Sequence, residues 1–525
     1  MITRRLFTTH AALIAAAPYS ASVWAADDST LIATTRHGRV LGSRDNGIRV
    51  FKGIRYGADT SKRRFMPPLP PAPWTSVQNA TQYGPASPQP NITERNSEDC
   101  LFLNVWTPGL RDRVKRPVMV YIHGGAYAAG SGSSPLYDGS RLCTRGDVVV
   151  VTLNHRLNVF GYLSLSRFGG KDFADSGNVG QLDLVLALQW VRDNIAEFGG
   201  DPNKVMVFGQ SGGGAKIATL MAMPGARGLF HRAATMSGQQ LTASGPLNAT
   251  KRTEALLKAL KLTAARIDEL RTMPIPKLVA ALRTTDPIIG KGGLYFGPVL
   301  DERTLRRHPF YPDAPQISAS IPMIIGNTHD ETRSLIGNSD PTAFALKWED
   351  LPARLADNLR VDILPELVIA EYRKLYPKYS PSEVFFAATT AGRSWRGAIV
   401  EAELRAQQGS PVFAYQLDWP SPQDGGKWGA PHTIDIPLVF DNIDRKGSIT
   451  GTAPDAQTMA DQMSDAFIAF ARSGNPNHKG IPKWLPYTLP ARATMVFNNP
   501  SKVVDDPRGD ERKLFEKVPF VQQGT

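Results

Sequence analysis

Residues 198–214 read Phe-Gly-Gly-Asp-Pro-Asn-Lys-Val-Met-Val-Phe-Gly-Gln-Ser-Gly-Gly-Gly. Residues 204–208 are apolar and β-branched enough for a buried strand, and residues 212–223 are predicted to begin and continue as a helix. Ser211 lies on the short link between them, where flanking glycines let strand and helix approach without Cβ clashes. The serine hydroxyl is therefore expected to project from the sheet beside a helix N-terminus, which favours negative charge. A glycine-rich turn with an incidental serine is the alternative, because such short patterns recur by chance.

Strands and helices are predicted to alternate around this central strand. Further strands are expected at 101–106, 118–122, 148–153, 322–326 and 412–417, helices at 180–198 and 456–472, and mostly helical blocks at 248–286 and 349–406. Such alternation is typical of an α/β fold, in which helices cover both faces of a mostly parallel sheet. The helical blocks are then insertions into that fold.

The first part of the chain has a different character. Residues 30–51 carry short alternating segments broken at glycines, which predict a small antiparallel meander. Residues 65–74 contain five prolines, too many missing backbone donors for a helix or an interior strand, so an extended surface connection is expected. No repeat or linker divides the rest of the chain, and residues 26–525 are expected to form one catalytic domain.

Composition narrows the class of protein. The 525 residues are 42% hydrophobic and 21% charged, which is typical of a globular protein with a large core. The formal charge is +12, but Lys and Arg are scattered, so no nucleic-acid partner is expected and the excess charge favours anionic surroundings or substrates only weakly. Cys100 and Cys143 are too few for a disulfide framework or a metal cage. No apolar run after the N-terminus is long enough to span a membrane.

The N-terminus has the parts of an export signal. Arg4 and Arg5 are followed by an apolar stretch at 11–17 and by Val23-Trp24-Ala25, a candidate cleavage site. Residues 3–7, Thr-Arg-Arg-Leu-Phe, resemble a twin-arginine signal, and a Sec signal or a disordered tail are the alternatives. Residues 1–25 are expected to direct the protein to the periplasm or the medium.

A reactive serine needs a base to take its proton and an acid to orient that base. On this kind of sheet the chain order is serine, acid, histidine, which leaves His432 and His478 as candidate bases. His478 lies in a polar turn, where a solvated histidine is expected. His432 follows Gly429-Ala430-Pro431 in a loop of small residues after the strand at 412–417, and it is the better base.

Two carboxylates compete for the role of the acid. The strand at 322–326 runs into Asn-Thr-His-Asp330-Glu331, and this architecture places its site at the C-terminal ends of parallel strands. Asp330 and Glu331 both qualify, and spacing does not separate them. A charged loop tip is the alternative for either.

Backbone donors for an oxyanion are expected from an early glycine-rich loop. The strand at 118–122 leads into His123-Gly124-Gly125-Ala126-Tyr127, whose glycines allow successive N–H groups to face one point. The N–H of Gly212 would add a third donor. A plain tight turn is the alternative.

These motifs resemble those of the type-B carboxylesterase family of α/β-hydrolases, which includes the cholinesterases and the bacterial para-nitrobenzyl esterases. The match spans nearly the whole mature chain. Its longest motifs are residues 198–213, similar to the family's serine signature, and residues 98–105, Glu-Asp-Cys-Leu-Phe-Leu-Asn-Val, similar to its second signature. Residues 147–161, 178–183 and 429–442 are also similar.

The resemblance implies an α/β-hydrolase fold and a set of roles. Ser211 would be the nucleophile, Glu331 rather than Asp330 the acid, and His432 the base. Gly124, Gly125 and Gly212 would form the oxyanion hole. The family also implies two buried ion pairs that frame the sheet, Arg64 with Glu98 and Arg156 with Asp183.

Three departures from the family pattern stand out. Gly212 replaces a common alanine, which is expected to loosen the turn while keeping the N–H. Thr332 follows Glu331 where glycine is usual, which puts the shape of that loop in question. Cys100 matches a disulfide cysteine of many relatives, but residues 83–89, where its partner would lie, contain none. Cys100 is therefore expected unbridged and Cys143 a buried thiol.

The expected activity is hydrolysis of a small-molecule carboxylic ester through an acyl-enzyme, which requires no metal or organic cofactor. An acyltransferase or amidase with the same residues, and a non-catalytic binding module, are the alternatives. Some aromatic side chains could line a gorge, although core positions are commoner for such residues: Tyr127, Tyr295, Phe296, Trp395 and Trp428. The sequence does not give the oligomeric state, and a monomer is compatible with it.

Overall fold

The computed structural model describes residues 31–522 and 524–525, so the expected export signal at 1–25 lies outside the described residues. The strands are β1 Ile32–Thr35, β2 Gly38–Leu41, β3 Ser43–Asp45, β4 Ile48–Arg55, β5 Gln78–Asn79, β6 Phe102–Thr107, β7 Arg116–Ile122, β8 Val149–Leu153, β9 Gly200–Gln210, β10 Arg232–Met236, β11 Met323–Thr328, β12 Val412–Leu417, β13 Ala493–Phe497 and β14 Lys502–Asp505. The α-helices are α1 Ser140–Gly146, α2 Asn158–Tyr162, α3 Val179–Asn194, α4 Gly212–Leu220, α5 Pro246–Ala259, α6 Ile275–Ala281, α7 Glu331–Leu335, α8 Leu351–Asn358, α9 Pro365–Leu375, α10 Pro381–Thr390, α11 Arg396–Gln407, α12 Asp435–Val439, α13 Pro454–Ser473 and α14 Gly509–Phe515.

Eleven strands form the central sheet, in the order β14-β13-β12-β11-β10-β9-β7-β8-β6-β4-β3. The strands from β13 to β8 are parallel, and antiparallel strands close both ends. In the middle, Val207 of β9 lies opposite Val120 of β7 and Ala233 of β10. The predicted α/β fold with a mostly parallel sheet is confirmed.

Hydrophobic cores lie on both faces of this sheet. Because successive side chains of a strand point to opposite faces, Val118 and Val120 of β7 pack in one core with residues of α3, α4 and α11. Met119 and Tyr121 pack in the other core with residues of α1, α12 and α13. Every residue of β7 is buried, as expected of a strand covered on both sides.

The N-terminal meander differs from the prediction. Strands β1 and β2 pair antiparallel but belong to a separate three-stranded sheet with β5, whereas β3 and β4 join the central sheet. The proline-rich stretch at 65–74 is an irregular connection without strand or helix, as expected. It carries the chain to β5, which pairs with β2 and divides the predicted meander.

The two predicted blocks are mostly helical, as expected, but each consists of several short helices. Residues 248–286 contain α5, a 3-10 segment Ala264–Arg271 and α6, and residues 349–406 contain α8 to α11 with a π-helical turn at Ala391–Trp395. Within the described residues, no helix has the length and apolar character needed to cross a bilayer.

The structure contains both ion pairs that the family resemblance implies. Arg156 donates from Nε and Nη2 to Asp183 at 2.8 and 2.6 Å, and the Arg64 guanidinium pairs with Glu98. Cys100 and Cys143 are buried and unbridged, as expected.

Candidate active site

Ser211 lies between β9 and α4 with φ 55° and ψ −127°, a conformation that is strained for a residue with a side chain. Its N–H donates to the Met236 carbonyl of β10 at 2.7 Å, which ties the strained residue to the sheet. The neighbouring glycines are required, because a Cβ at Gly209 would lie 2.6 Å from the carbonyl oxygen of Ile122. The half-buried hydroxyl therefore projects from the sheet, as the sequence predicted.

The loop after β7 packs directly on this turn. A Cβ at Gly212 would lie 2.5 Å from the backbone nitrogen of Ala126, and closer still to its Cα and oxygen. The sequence analysis expected glycine at 212 to loosen the turn. The structure shows a different role, since the absence of a Cβ allows the turn to lie in close contact with the loop. The same approach brings Gly124 and Gly125 to the cavity that Ser211 lines.

Unpaired backbone N–H groups face this region. Ser211 makes no side-chain cap on α4, and the first N–H groups of a helix have no partner within it. Among the described residues, the N–H groups of Gly125 and Gly212 donate no backbone hydrogen bond. Both groups are therefore available to a negatively charged atom.

His432 Nδ1 is hydrogen-bonded to Glu331 Oε2. The other oxygen, Oε1, accepts from the Thr328 N–H at 3.0 Å and from Asn327 Nδ2 at 3.3 Å. Burial raises the pKa of Glu331, but the interactions with His432, the Ser237 side chain and the Thr328 N–H outweigh it, so that the net pKa lies below its ordinary value. Glu331 is therefore an ionised carboxylate that holds Nδ1 as the donor and leaves Nε2 as an acceptor.

Ser211 and His432 line the same cavity, but no hydrogen bond joins their side chains within the described residues. Instead, Gln210 Nε2 lies 3.2 Å from His432 Nε2. The histidine nitrogen that could accept a proton is thus paired with the residue just before Ser211.

The structure distinguishes Asp330 from Glu331, the two candidate acids that sequence spacing could not separate. Asp330 does not contact His432; its Oδ2 accepts from the Ala430 N–H at 3.0 Å, and its Oδ1 accepts from Arg333 Nε at 3.1 Å. Burial raises the pKa of Asp330, but His329, Arg333 and the Ala430 N–H outweigh it and lower the pKa to about 2. Asp330 thus fixes the loop that carries His432.

Thr332, where the family usually has glycine, also has a defined place. It is fully buried, and its hydroxyl donates to the Phe386 carbonyl at 2.8 Å. The hydroxyl also lies 2.8 Å from that of Thr389. The departure therefore attaches α7 to α10 without separating Glu331 from His432.

Sequence reasoning did not single out Lys216, one turn beyond Ser211 in α4. Its side chain is fully buried, and Nζ donates to the His123 carbonyl at 3.0 Å. Burial lowers the pKa of Lys216 to about 7. The signal was present in the sequence, since a lysine interrupts an apolar helical run in Ala215-Lys216-Ile217-Ala218.

A second unpredicted group, Asp435, lies three residues after His432. It is fully buried, and its Oδ2 accepts from the Tyr415 hydroxyl at 2.8 Å. Oδ1 has no hydrogen-bond partner among the described residues. Burial, helped by the negative charge of Glu331, raises the pKa of Asp435 to about 7.

The cavity above Ser211 has a volume of about 480 Å³, a size suited to a small organic molecule. Of the five aromatic residues proposed for a gorge, only Tyr127 and Tyr295 line it. Trp395 and Phe296 are buried in the helical cores, and Trp428 packs edge-on against Phe344. The cavity also contains two arginines that the sequence analysis did not select, Arg360 and Arg393.

Comparisons with known proteins agree with this architecture. The model of the Carboxylesterase family matches residues 29–515. The para-nitrobenzyl esterase of Bacillus subtilis (strain 168) is 37% identical over 502 residues, which cover 92% of this chain and 98% of that protein. The phenmedipham hydrolase of Pseudarthrobacter oxydans is 34% identical over 503 residues, 89% of this chain and 95% of that protein.

Solved structures show the same likeness in three dimensions. A carboxylesterase from Geobacillus stearothermophilus superposes with a TM-score of 0.82 at 38% identity, covering 92% of this chain and all of that one. With a parallel sheet, a strained serine after its central strand and a family match along nearly its whole length, this chain belongs to the carboxylesterase family and is a carboxylic ester hydrolase.

Proposed function

We propose that the protein hydrolyses carboxylic esters through an acyl-enzyme in which Ser211 is the nucleophile, His432 the general base and Glu331 the carboxylate that orients it. The observation that carries the proposal is the hydrogen bond between Glu331 and His432 Nδ1 in the cavity lined by Ser211. An ionised carboxylate on Nδ1 stabilises the imidazolium that forms when Nε2 takes a proton.

The first half-reaction begins with a small rearrangement. His432 Nε2 exchanges the Gln210 amide for the Ser211 hydroxyl, takes the proton of that hydroxyl as its oxygen attacks the ester carbonyl, and then gives the proton to the departing alcohol. Water repeats these steps on the acyl-enzyme and releases the acid.

Gly124, Gly125 and Gly212 would donate their N–H groups to the oxyanion. A single donor of this kind typically contributes about 10²–10³ in kcat. Lys216 would assist, because the His123 carbonyl that it binds belongs to the same peptide group as the Gly124 N–H. A positive charge on the carbonyl side polarises the peptide and makes that N–H a stronger donor.

The ester itself is proposed to be small. A cavity of about 480 Å³ holds a compact acyl or aryl group, and relatives are named for the hydrolysis of para-nitrobenzyl esters and of phenmedipham. Short-chain p-nitrophenyl and p-nitrobenzyl esters are therefore the first substrates to test.

Turnover of p-nitrophenyl acetate by the wild type and by Ser211→Ala tests the assignment. The variant should keep the circular dichroism spectrum and melting temperature of the wild type and lose at least about 10³-fold in kcat. Undiminished turnover by the variant would refute the nucleophile. Product analysis with a competing alcohol, and assay of the matching anilide, separate hydrolysis from acyl transfer and amidase activity.

We also propose that residues 1–25 export the protein to the periplasm or the medium, on the basis of Arg4-Arg5, the apolar stretch and the small residue at the expected cleavage site. N-terminal sequencing of the protein from a periplasmic fraction should begin at Ala26. Arg4→Lys with Arg5→Lys should block export if the route is the twin-arginine one, whereas a Sec signal would tolerate the change.

A further inference from the structure

The cavity above Ser211 carries positive charge. Arg360 and Arg393 both line it, and the described lining residues include no Asp or Glu. Ser211 lines the same cavity. Because no described lining residue is a carboxylate that could pair with Arg393, its positive charge favours a negatively charged ligand in this cavity.

Arg393 is the clearer of the two. It lies in the π-helical turn Ala391–Trp395, and turns of this kind are rare and frequently mark functional sites. Within the described residues its side chain makes no ion pair, although the Glu331 charge acts on it from a distance. Glu331 is already bonded to His432, which leaves the guanidinium of Arg393 to the cavity.

The fully buried arginines of this protein are held by structural partners, and Arg405, which has no ion pair among the described residues, donates from Nη1 to the Ser318 carbonyl at 3.2 Å and from Nη2 to the Ile321 carbonyl. Arg252 donates to Asp286 at 2.7 Å, and Arg156 donates to Asp183, as expected where charges removed from water are paired. Half-buried Arg393 follows no such pattern, so a structural ion pair does not account for it.

Arg360 lies near Arg393, close enough for the two charges to repel one another. Its backbone has φ 61°, in the left-handed region that residues other than glycine seldom adopt. Two irregular backbone segments thus bring two arginines to one cavity.

We infer that the active-site cavity selects esters that carry a carboxylate on their acyl or alcohol part, and that Arg393 binds this carboxylate. The inference rests on the proposed function, because it assigns a substrate class to the same site. Arginine suits the task, since its guanidinium binds a carboxylate through two parallel hydrogen bonds.

Two pairs of matched esters test this selection. Monoethyl glutarate and its neutral amide, ethyl 4-carbamoylbutanoate, place the carboxylate on the acyl side. 4-Acetoxybenzoate and 4-acetoxybenzamide place it on the alcohol side. In at least one pair the wild type should favour the anionic ester in kcat/KM, and the pair that shows the preference identifies the side that faces Arg393.

Arg393→Gln should lower this anionic-to-neutral ratio about tenfold or more, and Arg393→Lys should restore part of it. Arg44→Gln, which removes one exposed charge outside the cavity lining, should leave the ratio as in the wild type. Equal kcat/KM values within both pairs, or an unchanged ratio in Arg393→Gln, would overturn the inference. Turnover that survives Ser211→Ala would instead overturn the proposed function, whatever the ratio.

If Arg393→Gln does not fold, inhibition of the wild-type enzyme by small carboxylates tests the inference instead. Glutarate should inhibit hydrolysis of the neutral ester competitively and at lower concentration than glutaramide. Its advantage should shrink as NaCl rises from about 50 to about 500 mM, because salt screens the attraction. Equal inhibition by the two compounds would count against the inference.

Discussion

Lys216 Nζ donates a hydrogen bond to the carbonyl oxygen of His123 at 3.0 Å, and that carbonyl shares its peptide group with the Gly124 N–H. In a trans peptide the C=O and N–H bonds point in opposite directions. A charge bound behind the loop therefore acts on the donor in front of it, beside Ser211. This contact links a buried cation to the proposed oxyanion hole through a single peptide group.

Replacement of this lysine tests the link. Lys216→Met keeps much of the length and apolar stem of the side chain but removes the charge, so it should lower kcat about tenfold or more while changing KM little, since the oxyanion is present only in the transition state. Steady-state kinetics with p-nitrophenyl acetate measure both constants. A fall in kcat/KM that comes from KM alone would contradict the role.

The pH dependence of the same variant gives an independent test. Burial lowers the pKa of Lys216 to about 7, so the ammonium is lost as the pH rises from about 6 to about 8 and the kcat of the wild type exceeds that of Lys216→Met more at pH 6 than at pH 9. In the unfolded chain the lysine keeps its proton up to its ordinary pKa. Between about pH 7 and that ordinary value the unfolded state therefore binds more protons, and stability should increase with pH. Lys216→Met should lack this increase.

Glu331 and Asp330 should behave differently when neutralised. Glu331→Gln places an amide donor against His432 Nδ1 and favours the wrong tautomer, so kcat should fall by about 10³–10⁴. Asp330→Asn loosens the contact with the Ala430 N–H and should cost less activity. The ratio of the two kcat values shows which carboxylate orients His432. A larger loss of kcat in Asp330→Asn than in Glu331→Gln would assign that role to Asp330.

Gly212→Ala examines the contact between the loop and the turn. The added Cβ meets the backbone of Ala126, so the loop must move; kcat should fall, and unfolding should become easier by about 1–3 kcal/mol. Gly225→Ala is the matched control, because its Cβ would lie 3.7 Å from the nearest atom, Val185 Cγ1. Chemical denaturation and p-nitrophenyl acetate kinetics of both variants check the prediction. Full activity in Gly212→Ala would show that the loop adapts.

Asp435 should make stability depend on pH in the opposite sense to Lys216. Its pKa is raised to about 7, so the folded state retains a proton that the unfolded chain has already lost, and stability should decline as the pH rises from about 4 to about 7. Asp435→Asn is neutral at every pH. Its melting temperature should therefore exceed that of the wild type more at pH 8 than at pH 5, and a constant difference would be inconsistent with the raised pKa.

Sequence alone predicted the parts of the fold whose patterns are local and long. The central strand around 204–208, the buried strand β7 and the long helix α13 all have periodic apolar residues over many positions, and each occurs where expected. Strands β13 and β14 and helix α14 were missed, because short runs near the C-terminus carry too few residues to establish a period. The division of the meander between two sheets depends on the distant strand β5, which no local pattern reveals.

The candidate site also has a part that local sequence patterns predicted and a part that depends on residues distant in the sequence. Chain order and turn chemistry selected Ser211 and His432, and the family resemblance favoured Glu331 over Asp330, which lies against the loop rather than the imidazole. Four buried or half-buried charged residues were not predicted to be functional: Lys216, Asp435, Arg360 and Arg393. Their significance comes from burial and from neighbours that are far away in the sequence. A buried charge in the fold looks in the sequence like any other charged residue.

Covalent labelling gives the sharpest test of Ser211 as an activated nucleophile. A fluorophosphonate probe reacts with such a serine, and mass spectrometry of the digested protein identifies the modified residue. We expect stoichiometric modification of Ser211 in the wild type and a large loss of labelling in His432→Ala. Modification of a different serine, or labelling of Ser211 at an undiminished rate in His432→Ala, would contradict the assignment.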